Sequence, residues 1–477
     1  MKYPDRRRPR AALLALLALL ALLALGAQAA IAQSPPRTEP LSLHTALRRA
    51  DSAAFGTRAA AAQRATLEAQ AALPLKGILP SIHLDAGFLQ TTDPIGAFGT
   101  RMRQRRLTTA DFNPATLNVP GVAANASGAI AADIPLLNAD AWAARRAASG
   151  AARAAGAAEA WARLSTRADV VRAYYGILLA EERVRTLAAA LAAARSHVAQ
   201  ADALHREGVV TSSDALLAGV RAGDIESRLI EATAEARSER QSLGVLLGER
   251  DGTRMSPVGP LPVAAALRAI AREDSGTPAA LRADEAAARL AADAAALDGR
   301  RARAAALPRL NGFARYDWND RATPFAGEPF WTVGLVATWS LLNGGSTLAE
   351  QRIADSRALA ARAMADGVAA RARLERDDSE GGVGVALDRL ALAERSAVQG
   401  ADAHRIVERR YQGGLATVSE LLDAQAAETA TTLGLAKARF DLVAALAACR
   451  LAAGRDPGTL EVLDMNPPPT SPSKEHD

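Results

Sequence analysis

Two short segments decide the fold of this chain: HREGVVTSSDALL at residues 205–217 and RYQGGLATVSELLD at residues 410–423. Each has a glycine, then a threonine, then an acidic residue, at the same spacing. These positions are Gly208, Thr211 and Asp214 in the first segment and Gly414, Thr417 and Glu420 in the second. Glycine favours the end of a helix, and threonine accepts hydrogen bonds from the free N–H groups at the start of the next one. Each segment therefore predicts a tight turn between two helices.

The sequence on both sides of each turn favours long helices. No proline occurs between Pro135 and Pro257 or between Pro329 and Pro457, and both stretches are rich in Ala, Leu, Arg and Glu. Apolar residues with a period near 3.5, typical of coiled coils, occur in the first stretch at Val170, Tyr174, Ile177, Val184, Leu191 and Val198. We predict helical hairpins at 138–249 and 343–453, with helices of about 65 residues that would be about 100 Å long.

The two hairpins are parts of an internal duplication. Leu136-Leu137-Asn138 recurs as Leu341-Leu342-Asn343, and Leu79-Pro80 recurs as Leu307-Pro308. Repetition of whole units of this kind determines the architecture more strongly than any single residue does. The predicted repeats are 33–250 and 279–456, joined by a linker at 251–278, and the tail 457–477 is predicted to be disordered.

A pair of predicted strands precedes each hairpin, at 81–135 in the first repeat and 309–342 in the second. Segments 81–91, 125–134, 309–319 and 331–341 alternate loosely in polarity, and each has about the 10-residue length of a tilted strand in a bilayer. Aromatic residues concentrate in these windows, as expected at membrane interfaces. The candidates are Phe88, Phe313, Tyr316, Trp318, Phe330, Trp331 and Trp339. Core packing in a soluble sheet is the alternative explanation.

The first residues predict export. Basic residues from Lys2 to Arg10 precede an Ala/Leu run at 11–25, and small residues at 27–32 offer cleavage sites. Residues 1–32 are therefore predicted to be a removable signal peptide, with a retained amphipathic anchor as the alternative. This segment carries most of the formal net charge of +5, so the remaining chain is close to neutral. The basic composition is thus poor support for nucleic-acid binding.

The sequence lacks the patterns of an enzyme or a metal protein. The single cysteine, Cys449, excludes an internal disulfide, and the six histidines are scattered. No phosphate-binding glycine loop and no nucleophile motif occurs. No later segment has the roughly 18 uninterrupted apolar residues of a spanning helix. We therefore expect no catalytic residue, no cofactor and no metal site.

Four strands are too few to close a barrel, and open sheet edges cannot face lipid. Several chains must then share one barrel, and three copies would supply twelve strands. A soluble periplasmic coiled-coil protein, such as an adaptor or a structural spacer, is the alternative. It accounts for the hairpins but leaves the duplicated aromatic-rich strands unexplained.

The order of these elements resembles the TolC-type outer-membrane efflux family, from Leu41 to about Pro457. The resemblance implies an α+β membrane protein, in which a homotrimer forms a twelve-stranded β-barrel in outer-membrane lipid above a helical periplasmic tunnel. It also implies two partners: a periplasmic adaptor protein and an inner-membrane transporter, proton-driven or of the ABC type. The channel itself would conduct passively in a tripartite efflux system. Drugs, metal ions, polysaccharides and polypeptides all pass through channels of this shape.

The resemblance also assigns roles at the two turns. The adaptor-contacting tips would be Gly208, Val209, Val210 and Thr211 with Gly414, Leu415, Ala416 and Thr417. A periplasmic gate with an acidic ring would include Asp214, Glu420, Asp423 and Tyr411. The family prototype has an arginine at the position of Ala416, so a closed state locked by that ion pair is not expected here. Three copies of Glu420 and Asp423 would attract cations, although acids in a first helical turn are also favoured by the helix dipole alone.

Overall fold

The computed structural model describes residues 39–249, 255–275, 277 and 279–464; the predicted signal peptide lies outside these residues. The helices are α1 (Leu43–Ala53), α2 (Phe55–Gln70), α3 (Pro94–Arg103), α4 (Pro114–Asn118), α5 (Ala139–Arg206), α6 (Ser212–Leu246), α7 (Ala264–Ser275), α8 (Ala283–Ala304), α9 (Ser346–Gln412) and α10 (Val418–Ala452). The strands are β1 (Glu39–Leu41), β2 (Ser81–Thr91), β3 (Ala123–Leu137), β4 (Met255–Pro257), β5 (Arg309–Asp320) and β6 (Phe330–Thr338). Short 3₁₀ helices lie at Leu73–Gly77, Thr109–Phe112 and Pro457–Asp464.

The two long helical hairpins dominate the molecule and confirm the predicted duplication. Helices α5 and α6 have 68 and 35 residues, and α9 and α10 have 67 and 35. At 1.5 Å per residue, α5 and α9 are each about 100 Å long. Alanine and glycine supply most of their buried positions, so neighbouring helices approach closely. Within the described residues, no helix combines the length and the apolar character needed to cross a membrane.

The four long strands form one antiparallel sheet in the order β2-β3-β5-β6. Strand β3 is longer than predicted, and its register shifts between Pro135 and Leu137, where a bulge leads into α5. Strand β6 is shorter than predicted and ends at Thr338. Gly344 and Gly345, at φ 65° and 82°, turn the chain into α9, which begins at Ser346. These glycines adopt the left-handed conformation at little steric cost.

The main hydrophobic core lies near the middle of α5, distant from both the sheet and the turns. Val170, Tyr174 and Ile177 of α5 are fully buried there against residues of α1, α7 and α10. The Tyr174 hydroxyl donates to the carbonyl oxygen of Val258 at 2.9 Å, next to the parallel pair of β1 and β4. The core therefore joins short elements of both repeats around the long hairpins.

The prediction of a disordered tail from residue 457 is wrong over its first residues. Pro457–Asp464 form a 3₁₀ helix, and Leu460 is completely buried in the main core. The prolines at 467–469 and the charged end suggested disorder, but the first residues of the tail pack against α1, α5 and α10 with Leu460 in the core. Residues 465–477 lie outside the described part of the chain.

One buried arginine connects the two repeats. The Arg282 side chain, only 3% exposed, bonds to Asp284 and Glu375 at 2.7 Å each. Its guanidinium carbon also lies 4.6 Å from the centroid of the Trp161 ring, at the distance of a cation–π contact. The carboxylates raise the pKa of Arg282 against the opposing effect of burial, so the side chain stays charged. The start of α8 is thereby fixed to α5 and α9.

Candidate functional site

The four-stranded sheet has two chemically different faces. Residues directly opposite each other in an antiparallel pair point to the same side, so the register assigns each side chain to a face. One side, the apolar face, comprises Ile82, Leu84, Phe88, Ile130, Ile134, Tyr316, Trp318, Trp331, Val333 and Leu335. The other side, the polar face, carries His83, Asp85, Asn125, Asp133, Arg315, Asp317 and Asn319. The sheet therefore suits a boundary between an apolar and an aqueous medium.

The apolar face is largely uncovered in the single chain. Ile82 is 76% exposed, Trp331 is 70% exposed and Leu335 is 69% exposed. Soluble monomers rarely expose a contiguous apolar patch of this kind unless something else contacts it. The face is thus a candidate for contact with lipid.

The predicted interface aromatics are divided between the two faces. Phe88, Tyr316, Trp318 and Trp331 lie on the apolar face, whereas Phe313 and Phe330 lie on the polar face. The Phe313 ring covers Gly334, where a Cβ atom would be 2.7 Å from it. Trp339 follows the end of β6, and its Nε1 donates to the carbonyl oxygen of Ala306 at 3.1 Å. The sequence alone could not assign these aromatic residues to a face, because the face of each side chain depends on the register in which the strands pair.

Charged side chains form a connected row across the polar face. Arg315 bonds to Asp317 through Nε at 2.7 Å and lies 3.6 Å from Asp85 on β2. His83 lies between Asp85 and Asp133, at 3.7 Å and 3.8 Å. Such a row is stable only in contact with water or fully paired, which distinguishes this face from the other.

The two loops at the far end of the sheet fold over opposite faces. In the first, residues 92–122, the Gln104 side-chain amide donates to Ala124 O at 2.8 Å and to Asn125 Oδ1 at 2.9 Å. Asn125 in turn donates to Asn319 Oδ1 at 2.7 Å, and this buried pair lies on the polar face. In the second loop, Phe325 packs against Trp318 with ring centroids 5.7 Å apart and covers Gly128 on the apolar face.

The two turns at the ends of the hairpins are closed by the predicted glycines and threonines. Gly208 and Gly414 have φ of 76° and 72°, a conformation that favours glycine. Thr211 and Thr417 are N-caps whose hydroxyls accept from the backbone N–H of Asp214 and Glu420 at 3.3 Å and 3.2 Å. The two carboxylates accept in return from the threonine N–H groups, at 3.2 Å and 2.8 Å. Both turns are therefore capping boxes.

The acidic residues of the proposed ring have local partners. Asp214 and Glu420 hold the capping boxes, which is the role that the helix-terminus interpretation gives them. Asp423 is exposed, and its carboxylate lies 3.5 Å from Arg221 of the other hairpin. The structure thus accounts for each carboxylate within one chain, while a ring would require further copies.

A small apolar cluster joins the two turns. Ala201, Ala218, Val418 and Leu422 are buried together, and Val198, Val210, Ala215 and Tyr411 pack against them. Burial raises the pKa of Tyr411, and the nearby charge of Asp214 raises it further, so the phenol is neutral at physiological pH. Val209 and Leu415 occupy matching positions outside the cluster, where they are 67% and 73% exposed. The turns therefore share an internal contact and each present one apolar side chain to solvent.

Sequence reasoning missed a pair of histidines between the hairpins. His404 Nδ1 contacts the carboxylate of Glu428, and its other ring nitrogen has no hydrogen-bond partner within the described chain. His197 of α5 lies nearby; burial and the charge of His404 lower its pKa, and Glu408 opposes this. In the sequence the six histidines only looked scattered, since pairing across two repeats leaves no local signal. Among the described residues, no cluster of three or more His, Cys, Asp or Glu side chains could hold a metal.

Comparison with known proteins gives a consistent family and fold. The family model described as outer membrane efflux protein matches residues 54–249 and 279–455. The fold is similar to the outer membrane protein VceC of Vibrio cholerae, with 20% identity, a TM-score of 0.70 and coverage of 87% of this chain and 96% of that one. The CmeC outer membrane channel of Campylobacter jejuni gives 15% identity, a TM-score of 0.72, and coverage of 89% and 90%.

The open-state MtrE outer membrane channel of Neisseria gonorrhoeae gives 17% identity, a TM-score of 0.67, and coverage of 89% of this chain and 93% of that one. No curated protein sequence matched the chain. At these identities the structural similarity establishes the fold, and the family match extends over both repeats.

Proposed function

The chain belongs to the outer membrane efflux protein family, and from this premise we propose that it is an outer-membrane channel that carries exported cargo to the cell exterior. Three copies would each contribute β2, β3, β5 and β6 to a shared twelve-stranded barrel. The long hairpins of the three copies would form a tunnel in the periplasm. The channel conducts passively and has no catalytic role; the energy comes from the transporter.

The observation that carries this proposal is the two-faced sheet. Its exposed apolar face fits lipid, and its charged face fits a water-filled lumen. The edge strands β2 and β6 leave backbone groups unpaired within one chain, and lipid does not tolerate unpaired edges. Pairing β2 of one copy with β6 of the next removes every edge, because the ring then closes.

The turns are the proposed contact with the efflux partners. Val209 and Leu415 present exposed apolar side chains at equivalent places, beside Gly208, Val210 and Thr211 in one turn and Gly414, Ala416 and Thr417 in the other. We infer that these tips bind a periplasmic adaptor protein, which links the channel to an inner-membrane transporter of the proton-driven or ABC type.

The gate is proposed to lie directly behind the tips. Glu420 and Asp423 of three copies would surround the tunnel axis, with Tyr411 and Asp214 packed behind them. Because Ala416 supplies no cation, the contact of Arg221 with Asp423 is the candidate link between the hairpins in a closed state. Its side chains are exposed, so the link is weak and easily broken.

The proposal is tested by extracting the mature protein from outer membranes with mild detergent. We expect a homotrimer that forms ion-conducting pores in planar bilayers. A protein recovered in the soluble periplasmic fraction, without pore activity, would instead identify a periplasmic coiled-coil adaptor or spacer.

A further inference from the structure

The loop between β2 and β3 contains the sequence RMRQRR at residues 101–106, which brings four arginines to the far end of the sheet. A fifth, Arg321, comes from the loop between β5 and β6. Three of these arginines line a cavity of about 280 Å³ together with polar groups. The polar side chains of the lining are Thr100, Arg101, Gln104, Arg106, Asp111 and Arg321.

Two arginines of this cavity form no direct ion pair with a described carboxylate. Asp111 accepts hydrogen bonds from the backbone and side chain of Thr108 and pairs with Arg101 at 2.5 Å, and these contacts lower its pKa. Asp320, whose charge interacts with Arg106, accepts from the backbone N–H groups of Ala322 and Thr323. In the part of the chain that the structure describes, Arg106 and Arg321 form no ion pair within 4.0 Å. The cavity therefore keeps an excess of positive charge.

The loop that supplies most of the cavity lies against the polar face. Gln104 lines the cavity and at the same time donates to Asn125, whose partner Asn319 is on that face. The neighbouring loop, with Phe325, covers the apolar face instead. If the polar face lines the lumen, as the proposed function requires, the cavity opens on the outer mouth of the channel and away from lipid.

We propose that this cavity is a binding site for a phosphate group, carried by a solute in the outer mouth of the channel. Two guanidinium groups beside the Thr100 hydroxyl offer planar, charge-assisted donors, the arrangement that phosphate oxygens accept best. The location in the mouth depends on the proposed function, whereas the binding of phosphate depends only on the cavity. A lipid headgroup has the same chemistry, but it would have to approach from the face that Phe325 occupies.

The test uses the full-length protein purified in detergent, with inorganic phosphate as the probe. The Arg106→Gln/Arg321→Gln variant removes the two unpaired charges of the cavity. The control, Arg103→Gln/Arg105→Gln, removes the same amount of charge from the first of the two loops, at positions that do not line the cavity. Equilibrium dialysis measures phosphate binding, and planar bilayers measure the block of the ionic current by added phosphate. We expect the cavity variant to need about tenfold more phosphate than the parent protein for half-maximal binding and for half-maximal block of the current. The control variant should need the same concentrations as the parent protein.

The possible outcomes separate this inference from the proposed function. Absence of phosphate binding to the parent protein in dialysis, or equal losses in the two variants, would overturn the site. Binding without pores would support the site and refute the channel. Vesicles that contain lipopolysaccharide test a lipid headgroup as the source of the phosphate. A solute ligand would be refuted if the parent protein binds these vesicles but not free phosphate, and if only the cavity variant loses the binding to vesicles.

Discussion

Glu420 shows how one carboxylate can serve both local structure and the electrostatics of a tip. Its backbone N–H and its side chain both bond to Thr417, so removing the side chain would damage the turn as well as the charge. Gln at this position keeps an acceptor for the capping box, because Gln and Glu are both found there. Charge and structure can therefore be separated at this residue.

The Glu420→Gln/Asp423→Asn variant should lower the preference of the channel for cations over anions, because a ring of carboxylates attracts cations. Reversal potentials in bilayers under a salt gradient measure the ratio of cation permeability to anion permeability. Asp402→Asn, an exposed acid that pairs with Arg405 in α9, is the control and should leave the ratio unchanged. Equal permeability ratios in the parent protein and the double variant would contradict the assignment of Glu420 and Asp423 to an acidic ring at the gate.

We expect His197 to make the stability of the folded protein depend on pH. Burial lowers its pKa in the folded state below the value of about 6.5 for free histidine. The unfolded chain therefore binds a proton more readily, and this contribution to stability, complete above about pH 6.5, is lost as the pH falls through the lower folded pKa. The drop in melting temperature from pH 7 to pH 5 should be smaller in His197→Gln than in the parent protein. A drop of the same size in both would exclude His197 as a source of acid sensitivity.

At the scale of elements, the hairpins follow from local signals and the sheet does not. Gly208, Thr211 and the proline-free stretches determine where helices end and begin, so the turns could be predicted from neighbouring residues. The faces of Phe313 and Phe330 depend on which residue of β6 lies opposite which residue of β5. Strand pairing is non-local, and a shift of one residue would exchange the faces. The capping role of Asp214 was readable from Thr-x-x-Asp, whereas the contact of His404 with Glu428 was not.

Val333 and Val336 lie on opposite faces of β6, so the same change of valine to arginine can be compared on the two faces. Val333 is on the apolar face opposite Ala314, and Val336 is on the polar face opposite Asn311. Val333→Arg should destabilise the membrane form by about 2–4 kcal/mol, because a charge would face lipid. Val336→Arg should be tolerated. The yield of trimer in the outer membrane is measured for each of the two variants. Equal yields for Val333→Arg and Val336→Arg would contradict the assignment of the faces.

The turn glycines can be tested with a third glycine as the control. Gly208→Val and Gly414→Val place a β-branched residue at positive φ, at a cost of about 1–3 kcal/mol each. Gly219 lies inside α6 with open space around it, so Gly219→Val should leave the turn intact. We expect the two turn variants to form trimers but to lose crosslinking to the adaptor in cells. Full crosslinking in these variants would argue against tips that bind the adaptor.

At the scale of the whole molecule, a few arginines fasten the second repeat to the linker and, through Trp161, to the first repeat. Arg282 links α8, α9 and α5, and Arg450 and Arg455 both bond to Asp274 at the end of α7, at 2.8 Å and 3.0 Å. These contacts join residues that are far apart in sequence. They explain why the duplication alone did not show how the repeats are fastened together.

Arg282→Met should lower stability by about 2 kcal/mol, because the hydrogen bonds to Asp284 and Glu375 and the contact with Trp161 are lost. Arg303→Met, which removes an exposed pair with Asp355, is the control and should change stability little. Thermal unfolding of the two purified variants gives the comparison. Identical melting temperatures would show that Arg282 does not fasten the repeats.

The exposed apolar face also constrains how such a molecule is made. In the proposed trimeric channel, a newly exported chain would carry the face through an aqueous compartment before any copy can cover it, so collisions between unfinished chains would lead to aggregates. Completion requires three chains to meet, and its rate must rise steeply with their local concentration. Overproduction would therefore increase both the assembled and the aggregated forms. A holding chaperone that shields Ile82, Trp331 and Leu335 during transit would change the balance between them.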